Sequence, residues 1–264
     1  MDGIKRTFSG ALLCMTALGI TAASVAQSPF DGTWKTNMAQ AKFSPKPNVF
    51  YTSQGWYHCV SCSPTFDAKA DGTDQAVSGM PYDTISVKEV DANTLAVVTK
   101  KGGKVVGEQT RSVSADGKQL TVKTTSHPMN SDQTVTTEAS AKRVGLKPSG
   151  VHATSGEWAI SKVTQSDNGL LTTYKTNGDE LTMTSPTGES YTAKFDGQDY
   201  PVKGAYGTDA VSLKKIDDHT IEETDKRGGK VIEVTKMTVT GKTMKIESTN
   251  KLTDRTNTFV ATKQ

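Results

Sequence analysis

Tyr57-His58-Cys59-Val60-Ser61-Cys62-Ser63-Pro64 is the densest run of chemically capable side chains in this 264-residue chain. Two thiols at this spacing can close a small disulfide ring, act as a redox dithiol, or join His58 in offering three ligands to a metal. Each chemistry makes a further demand. A structural zinc site takes four ligands, and the other histidines, His127, His152 and His219, are scattered along the chain. Thioredoxin-like chemistry sets its dithiol at a helix N-terminus after a strand, where the helix lowers a thiol pKa, and no such turn is legible here. Covalent haem attachment needs a histidine directly after Cys-x-x-Cys, where Ser63 stands. The expectation is a structural disulfide, Cys59 to Cys62, with a metal site at His58, Cys59 and Cys62 and a redox role as the alternatives.

Aromatic side chains are the second chemically informative group. Trp56 and Tyr57 adjoin the cysteines, while Tyr191, Phe195, Tyr200 and Tyr206 cluster in the second half. Apolar and aromatic walls with a few polar groups suit a small apolar or amphipathic ligand, so Trp56, Tyr57, Tyr191, Phe195 and Tyr200 are the candidate binding residues. A docking surface for another envelope protein, using the same segment, is the alternative. Catalytic motifs are missing: the sequence holds no G-x-S-x-G elbow, no phosphate-binding glycine loop and no H-E-x-x-H. The acidic pairs Asp179-Glu180, Asp217-Asp218 and Glu222-Glu223 read as solvated faces, because neighbours on a strand point to opposite sides. The chain is therefore read as non-enzymatic, with no catalytic residue and no cofactor.

The composition suits an ordinary globular chain, with 34% hydrophobic and 22% charged residues. Basic residues outnumber acidic ones by only 31 to 28, which gives no electrostatic reason to expect a nucleic-acid partner. At the N-terminus, Lys5 and Arg6 precede an apolar or small stretch from Ala11 to Val25 that ends Ser24-Val25-Ala26. This pattern reads as a secretory signal over residues 1–26, cleaved after Ala26 with the loss of Cys14. The run is shorter than the roughly 20 apolar residues of a spanning helix. No membrane span is expected after cleavage, and the product should be periplasmic or secreted, in an oxidising compartment.

The elements that must position these residues come twice. Asp83-Thr84-Ile85-Ser86-Val87-Lys88-Glu89-Val90-Asp91 matches Asp209-Ala210-Val211-Ser212-Leu213-Lys214-Lys215-Ile216-Asp217, and Lys101-Gly102-Gly103-Lys104-Val105-Val106 matches Arg227-Gly228-Gly229-Lys230-Val231-Ile232, both at an offset of 126. Gly32-Thr33-Trp34 matches Gly156-Glu157-Trp158 at 124, and drift of this kind is what loop-length changes after a duplication produce. The expected division is a first repeat over 27–146, a linker over 147–150 and a second repeat over 151–264. Neither repeat is a basic domain, with 13 basic against 11 acidic residues before the linker and 16 of each from Lys147 onward.

Within each repeat apolar and polar residues alternate, as in Thr84-Ile85-Ser86-Val87-Lys88 and Thr243-Met244-Lys245-Ile246-Glu247, the pattern of half-buried strands. Gly-Gly, Asp-Gly and Asn-Gly pairs between them, at Gly102, Gly228, Asp71, Asp116, Asp196, Asn168 and Asn177, accept the positive φ of tight hairpins. About eight short strands per repeat follow, and closure into a barrel or a barrel-like sandwich avoids exposed edges. The expected fold is all-β, as two tandem antiparallel barrels.

Gly32-Thr33-Trp34 and Gly156-Glu157-Trp158 resemble the Gly-x-Trp signature that opens the first strand of lipocalins and the wider calycin group. The order of that motif, then Lys194-Phe195-Asp196-Gly197-Gln198-Asp199-Tyr200-Pro201-Val202, then the Gly-Gly-Lys hairpin, resembles uncharacterised exported bacterial proteins of lipocalin-like appearance. The resemblance implies that Trp34 and Trp158 each close a barrel end beneath a basic residue of the last strand. Arg143 and Lys263, near the end of each repeat, would supply it. It implies no established activity.

Overall fold

The computed structural model describes residues 28–264, so the signal sequence expected over 1–26 lies outside the described residues. The described chain is almost entirely strand, arranged as two nearly closed antiparallel barrel-like sheets of ten strands each. Among the described residues no helix is long and apolar enough to cross a membrane.

Among the described residues there are twenty strands. The first, β1, is Gly32–Thr36, followed by β2 (Asn48–Ser53), β3 (Trp56–Cys59), β4 (Phe66–Lys69), β5 (Asp71–Ala76), β6 (Thr84–Asp91), β7 (Thr94–Lys101), β8 (Lys104–Val113), β9 (Gln119–Ser126), β10 (Val135–Val144) and β11 (Gly156–Gln165). The rest are β12 (Leu171–Asn177), β13 (Glu180–Thr184), β14 (Ser190–Lys194), β15 (Tyr200–Pro201), β16 (Ala210–Asp217), β17 (Thr220–Arg227), β18 (Lys230–Thr240), β19 (Thr243–Asn250) and β20 (Arg255–Lys263). Ten strands per barrel replace the eight expected. The additional ones are short pieces such as β4 and the two-residue β15, too brief to show alternation in the sequence.

The repeats exchange their first strands. Barrel 1 is ordered β4-β3-β2-β11-β10-β9-β8-β7-β6-β5, and barrel 2 is β14-β13-β12-β1-β20-β19-β18-β17-β16-β15. Strand β1, from the first repeat, thus lies between β12 and β20 of the second, and β11 lies between β2 and β10. The division near 147–150 marks the sequence repeats but does not separate the barrels. Two crossovers carry the chain between them, each with a short 3-10 helix, Met38–Gln40 and Asp167–Gly169. Asn168-Gly169, expected as a hairpin, belongs to the second crossover. Asp71-Gly72 instead opens β5, where the register with β6 shifts. The Gly102-Gly103 and Gly228-Gly229 turns do take positive φ, from 56° to 77°, as tight hairpins require.

Duplication extends to the irregularities. A register shift between Thr99 and Lys100 in barrel 1 recurs between Asp225 and Lys226 in barrel 2, and one between Glu89 and Asp91 recurs between Lys215 and Asp217. Bulges bend a sheet at defined points, so both barrels curl by the same device. Each encloses its own apolar core, built around Trp34, Leu181, Leu213, Met237 and Met244 in barrel 2 and around Trp158, Tyr57, Leu95 and Leu120 in barrel 1.

Candidate functional site

Each barrel is plugged at one end by the Gly-x-Trp strand it receives from the other repeat. The Trp158 indole donates to the Thr154 carbonyl at 2.9 Å and the Trp34 indole to the Phe30 carbonyl at 2.7 Å. Arg143 covers Trp158, 4.1 Å from the ring centre, and Lys263 covers Trp34 at 5.5 Å. All four residues named for this role sit at the plugs, but the pairing runs between repeats rather than within one. The glycine of the motif has a physical reason. Gly156 and Gly32 hold φ of +134° and +120°, and a Cβ on Gly156 would collide with the Arg143 guanidinium, while one on Gly32 would lie 2.7 Å from Lys263 Cε. Arg143 also donates to the carbonyls of Gly117, Ser155 and Ala153, and burial pulls its pKa down.

The unplugged ends face each other. Arg227 of barrel 2 donates to the Gly207 carbonyl of its own barrel and, at 3.0 Å, to the Gly79 carbonyl of barrel 1. A Cβ on Gly207 would lie 3.5 Å from Pro81, and one on Gly188 would lie 3.1 Å from the Asn130 carbonyl oxygen. A cavity of about 430 Å³ at this seam is lined by Pro81, Ser126 and Val135 from barrel 1 and by Glu189, Tyr206 and Thr208 from barrel 2.

Inside barrel 1 the open half is aromatic and carries a cation. Arg111 on β8 faces inward between Leu95 and Val122 in the register. Its guanidinium lies 4.6 Å from the Phe50 ring centre and 5.5 Å from that of Tyr57, donates to the Tyr57 hydroxyl at 2.8 Å, and donates through Nε to Gln109. Among the described residues no carboxylate forms an ion pair with it. Tyr82 stands at the mouth, where burial, with the neighbouring Tyr57, pushes its pKa up to about 12 against the opposing pull of Arg111. Opposite Tyr57, Thr52 is wholly buried, and its hydroxyl has no partner among the described residues.

Barrel 2 carries carboxyl groups in its interior instead. Glu223 and Asp225 on β17 face Thr235 and Glu233 on β18, and the Tyr191 hydroxyl donates to Glu223. Burial, reinforced by Glu189 and Glu233, pushes Glu223 up to about 7 against the hydrogen bond from Tyr191. Burial and then Glu223 push Asp225 up to about 8, and burial also raises Glu189. The buried Tyr174 and Tyr191 are held well above the usual phenol range, first by burial and then by Glu223. Reading Glu222-Glu223 as a solvated pair is corrected for Glu223: strand alternation turns that side chain inward, beside Tyr191.

The five candidate binding residues do not form one group. Tyr57 and Tyr191 are buried inside different barrels. Trp56, 42% exposed, points outward from barrel 1 and walls no interior. Phe195 lines a cleft of about 970 Å³ at the plugged end of barrel 2 with Phe30 and Ile221, and Tyr200 donates to Asp196 at 2.8 Å on the rim. Cys59 and Cys62 form a disulfide, which removes both thiolates from the alternative metal set, and His58 pairs with Asp67 at 2.7 Å. Arg111, Gln109 and Asp225 were not singled out from the sequence, and Glu223 was read only as part of a solvated pair. Their signal is the phase of alternation, since Gln109 and Arg111 share a strand face with Val113, and Glu223 and Asp225 share one with Ile221.

Compared with known proteins, the chain matches no family model, no curated protein and no solved structure.

Proposed function

We propose that this protein is an exported, non-enzymatic binding protein that holds a small amphipathic molecule inside barrel 1. The observation that carries the reading is the partial burial of apolar side chains that pack on the core of that barrel. Phe66, Tyr82, Val122 and Ile160 pack on the core yet remain only partly buried, whereas a filled barrel would bury inward side chains completely. Plugs at the far ends leave the seam as the side from which a ligand reaches this space. Export follows from the signal-like N-terminus and agrees with a disulfide-bonded chain.

The test is titration of the mature protein with a solvatochromic dye, followed by displacement with unlabelled amphiphiles. Saturable, displaceable emission is expected, and its loss in Val122→Trp, which fills the space, would place the dye in barrel 1. Absence of saturable binding would sink the proposal. Exposed Trp56 favours a second reading, docking of another envelope protein on the outer face of barrel 1. In that case Trp56→Ala abolishes capture of the partner while dye binding is unchanged.

A further inference from the structure

Two cavities at the seam share Pro81, Gly207 and Thr208 in their walls, and the duplication relates them. The first, of about 430 Å³, carries Ser126 and Val135, which face each other on β9 and β10. The second, of about 460 Å³, carries Asn250 and Arg255 at the same register of β19 and β20. Barrel 1 builds its strand with a buried Val135, so the fold does not require a guanidinium at this place. The second cavity nevertheless has two, because Arg227 lines it as well, and among the described residues no carboxylate does. In the first cavity the charged residue is Glu189. Arg227 donates to the carbonyls of Gly207 and Gly79, and Arg255 to those of Lys46 and Pro47. These bonds fix both forks but leave their charge uncompensated, since neither forms an ion pair among the described residues. Burial accordingly pulls the pKa of Arg255 down.

The rest of the polar wall also offers donors. The Ser61 hydroxyl oxygen accepts from the Val49 N–H at 2.9 Å, and Asn250 Oδ1 accepts from the N–H groups of Leu252 and Thr253 at 3.0 Å. This leaves the Ser61 hydroxyl proton and the Asn250 amide protons to find other acceptors. Cys62 lines the cavity between Ser61 and Ser63, so the Cys59–Cys62 ring, which has no counterpart in the second repeat, holds one wall in place. Two guanidinium groups on one cavity repel until an anion joins them, and their planar forks match carboxylate or phosphate. Hydroxyl and amide groups around them suit a polyol better than an alkyl chain, and the volume falls within the roughly 300–1,000 Å³ of small-molecule sites. We propose that this cavity binds a small polyhydroxylated anion, a sugar acid or a sugar phosphate. Its anionic group pairs with Arg227 and Arg255, and its hydroxyls meet Asn48, Ser61, Ser63 and Asn250. The site is separate from the interior of barrel 1 and does not rest on the ligand reading above.

The experiment is calorimetric titration of the full mature protein with glucuronate, glucose 6-phosphate, glucose and inorganic phosphate. At least one of the two sugar anions is expected to bind at least about ten-fold more tightly than glucose, as charge-assisted hydrogen bonds require, and their ranking tells carboxylate from phosphate. Arg255→Val places in barrel 2 the residue that barrel 1 carries at this register, and should weaken that anion by about ten-fold or more. Arg227→Lys, the residue of the first repeat at the corresponding Lys101, keeps the charge, loses the fork and should retain part of the affinity. Melting curves of both variants show whether each is folded, and Arg227→Lys carries the test if Arg255→Val is not. Absence of saturable binding up to millimolar concentrations, equal binding of glucose and the anions, or affinity untouched by both substitutions would overturn the proposal. Inorganic phosphate binding as tightly as the sugar anions would overturn its polyol half. Displacement of a dye from barrel 1 by the sugar anions would overturn the separateness of the site, whereas failure of dye binding alone bears on the barrel 1 reading and leaves this one standing.

Discussion

Arg143 lies 4.1 Å from the ring centre of Trp158 although the two belong to different repeats. Lys263 stands in the same relation to Trp34, so each plug is assembled from both halves of the chain. A Trp removed from one repeat should therefore destabilise the barrel built mainly from the other. Trp158→Ala is expected to cost about 3–5 kcal/mol through the cavity left behind, with amide protection lost first in β2, β10 and β9 of barrel 1. Trp34→Ala should strip protection from β12, β19 and β20 instead. Hydrogen exchange read by mass spectrometry checks this, and the reverse assignment would mean that the strands are not exchanged in solution.

The glycine of each Gly-x-Trp motif is tied to its cation. Gly156→Ala forces a side chain into a left-handed backbone and into the Arg143 guanidinium, for an expected loss of about 2 kcal/mol. Because part of that loss is the collision, Gly156→Ala with Arg143→Ala should cost less than the sum of the single changes. A double-mutant cycle from denaturant melts measures this; strict additivity would show that glycine is kept for backbone conformation alone.

Barrel 2 should lose stability toward alkaline pH. Glu223 and Asp225 are raised to about 7 and about 8 in the folded protein, from ordinary values of 4.5 and 3.8. The folded state therefore holds protons that the unfolded chain releases, so stability is complete below about pH 4 and declines as pH rises through 7 to 8. The decline should be steepest between about pH 5 and pH 8 and level off above that. Glu223→Gln with Asp225→Asn should flatten it, as followed by melts across that range. An unaltered slope in the double variant would assign the decline to other groups.

Alternation and turn chemistry made the all-β architecture and the duplication legible, because a period of two and a repeated glycine pair depend only on local residues. Strand exchange was not legible. β1 and β11 carry the same Gly-x-Trp pattern and bury the same Trp whichever barrel receives them, so no local signal distinguishes the two arrangements. The candidate site was half legible for a related reason. Tyr57 and Tyr191 are aromatic and stood out, whereas Arg111 and Glu223 are charged residues whose inward direction depends on strand phase. Trp56 and Tyr57 show how much phase matters: adjacent on β3, one is exposed and the other is 2% accessible.

Plugged outer ends and apposed open ends make the seam a path into barrel 1 among the described residues, and the loops carrying Pro81 and Gly207 meet across it. The spacing allows a direct test. A Cβ at position 207 would lie 3.5 Å from the Cβ of Pro81, within the roughly 3.5–4.5 Å between Cβ atoms of a disulfide. Pro81→Cys with Gly207→Cys should therefore oxidise spontaneously and hold the loops together. If ligand passes between them, dye association and dissociation should both slow by about ten-fold or more in the oxidised protein. Affinity should remain nearly unchanged, because both directions use the same passage, and reductant should restore the rates. The unaltered protein with and without reductant controls for Cys59–Cys62. Stopped-flow rates that ignore the crosslink would require an entry elsewhere, with the plug beneath Arg143 the next place to look.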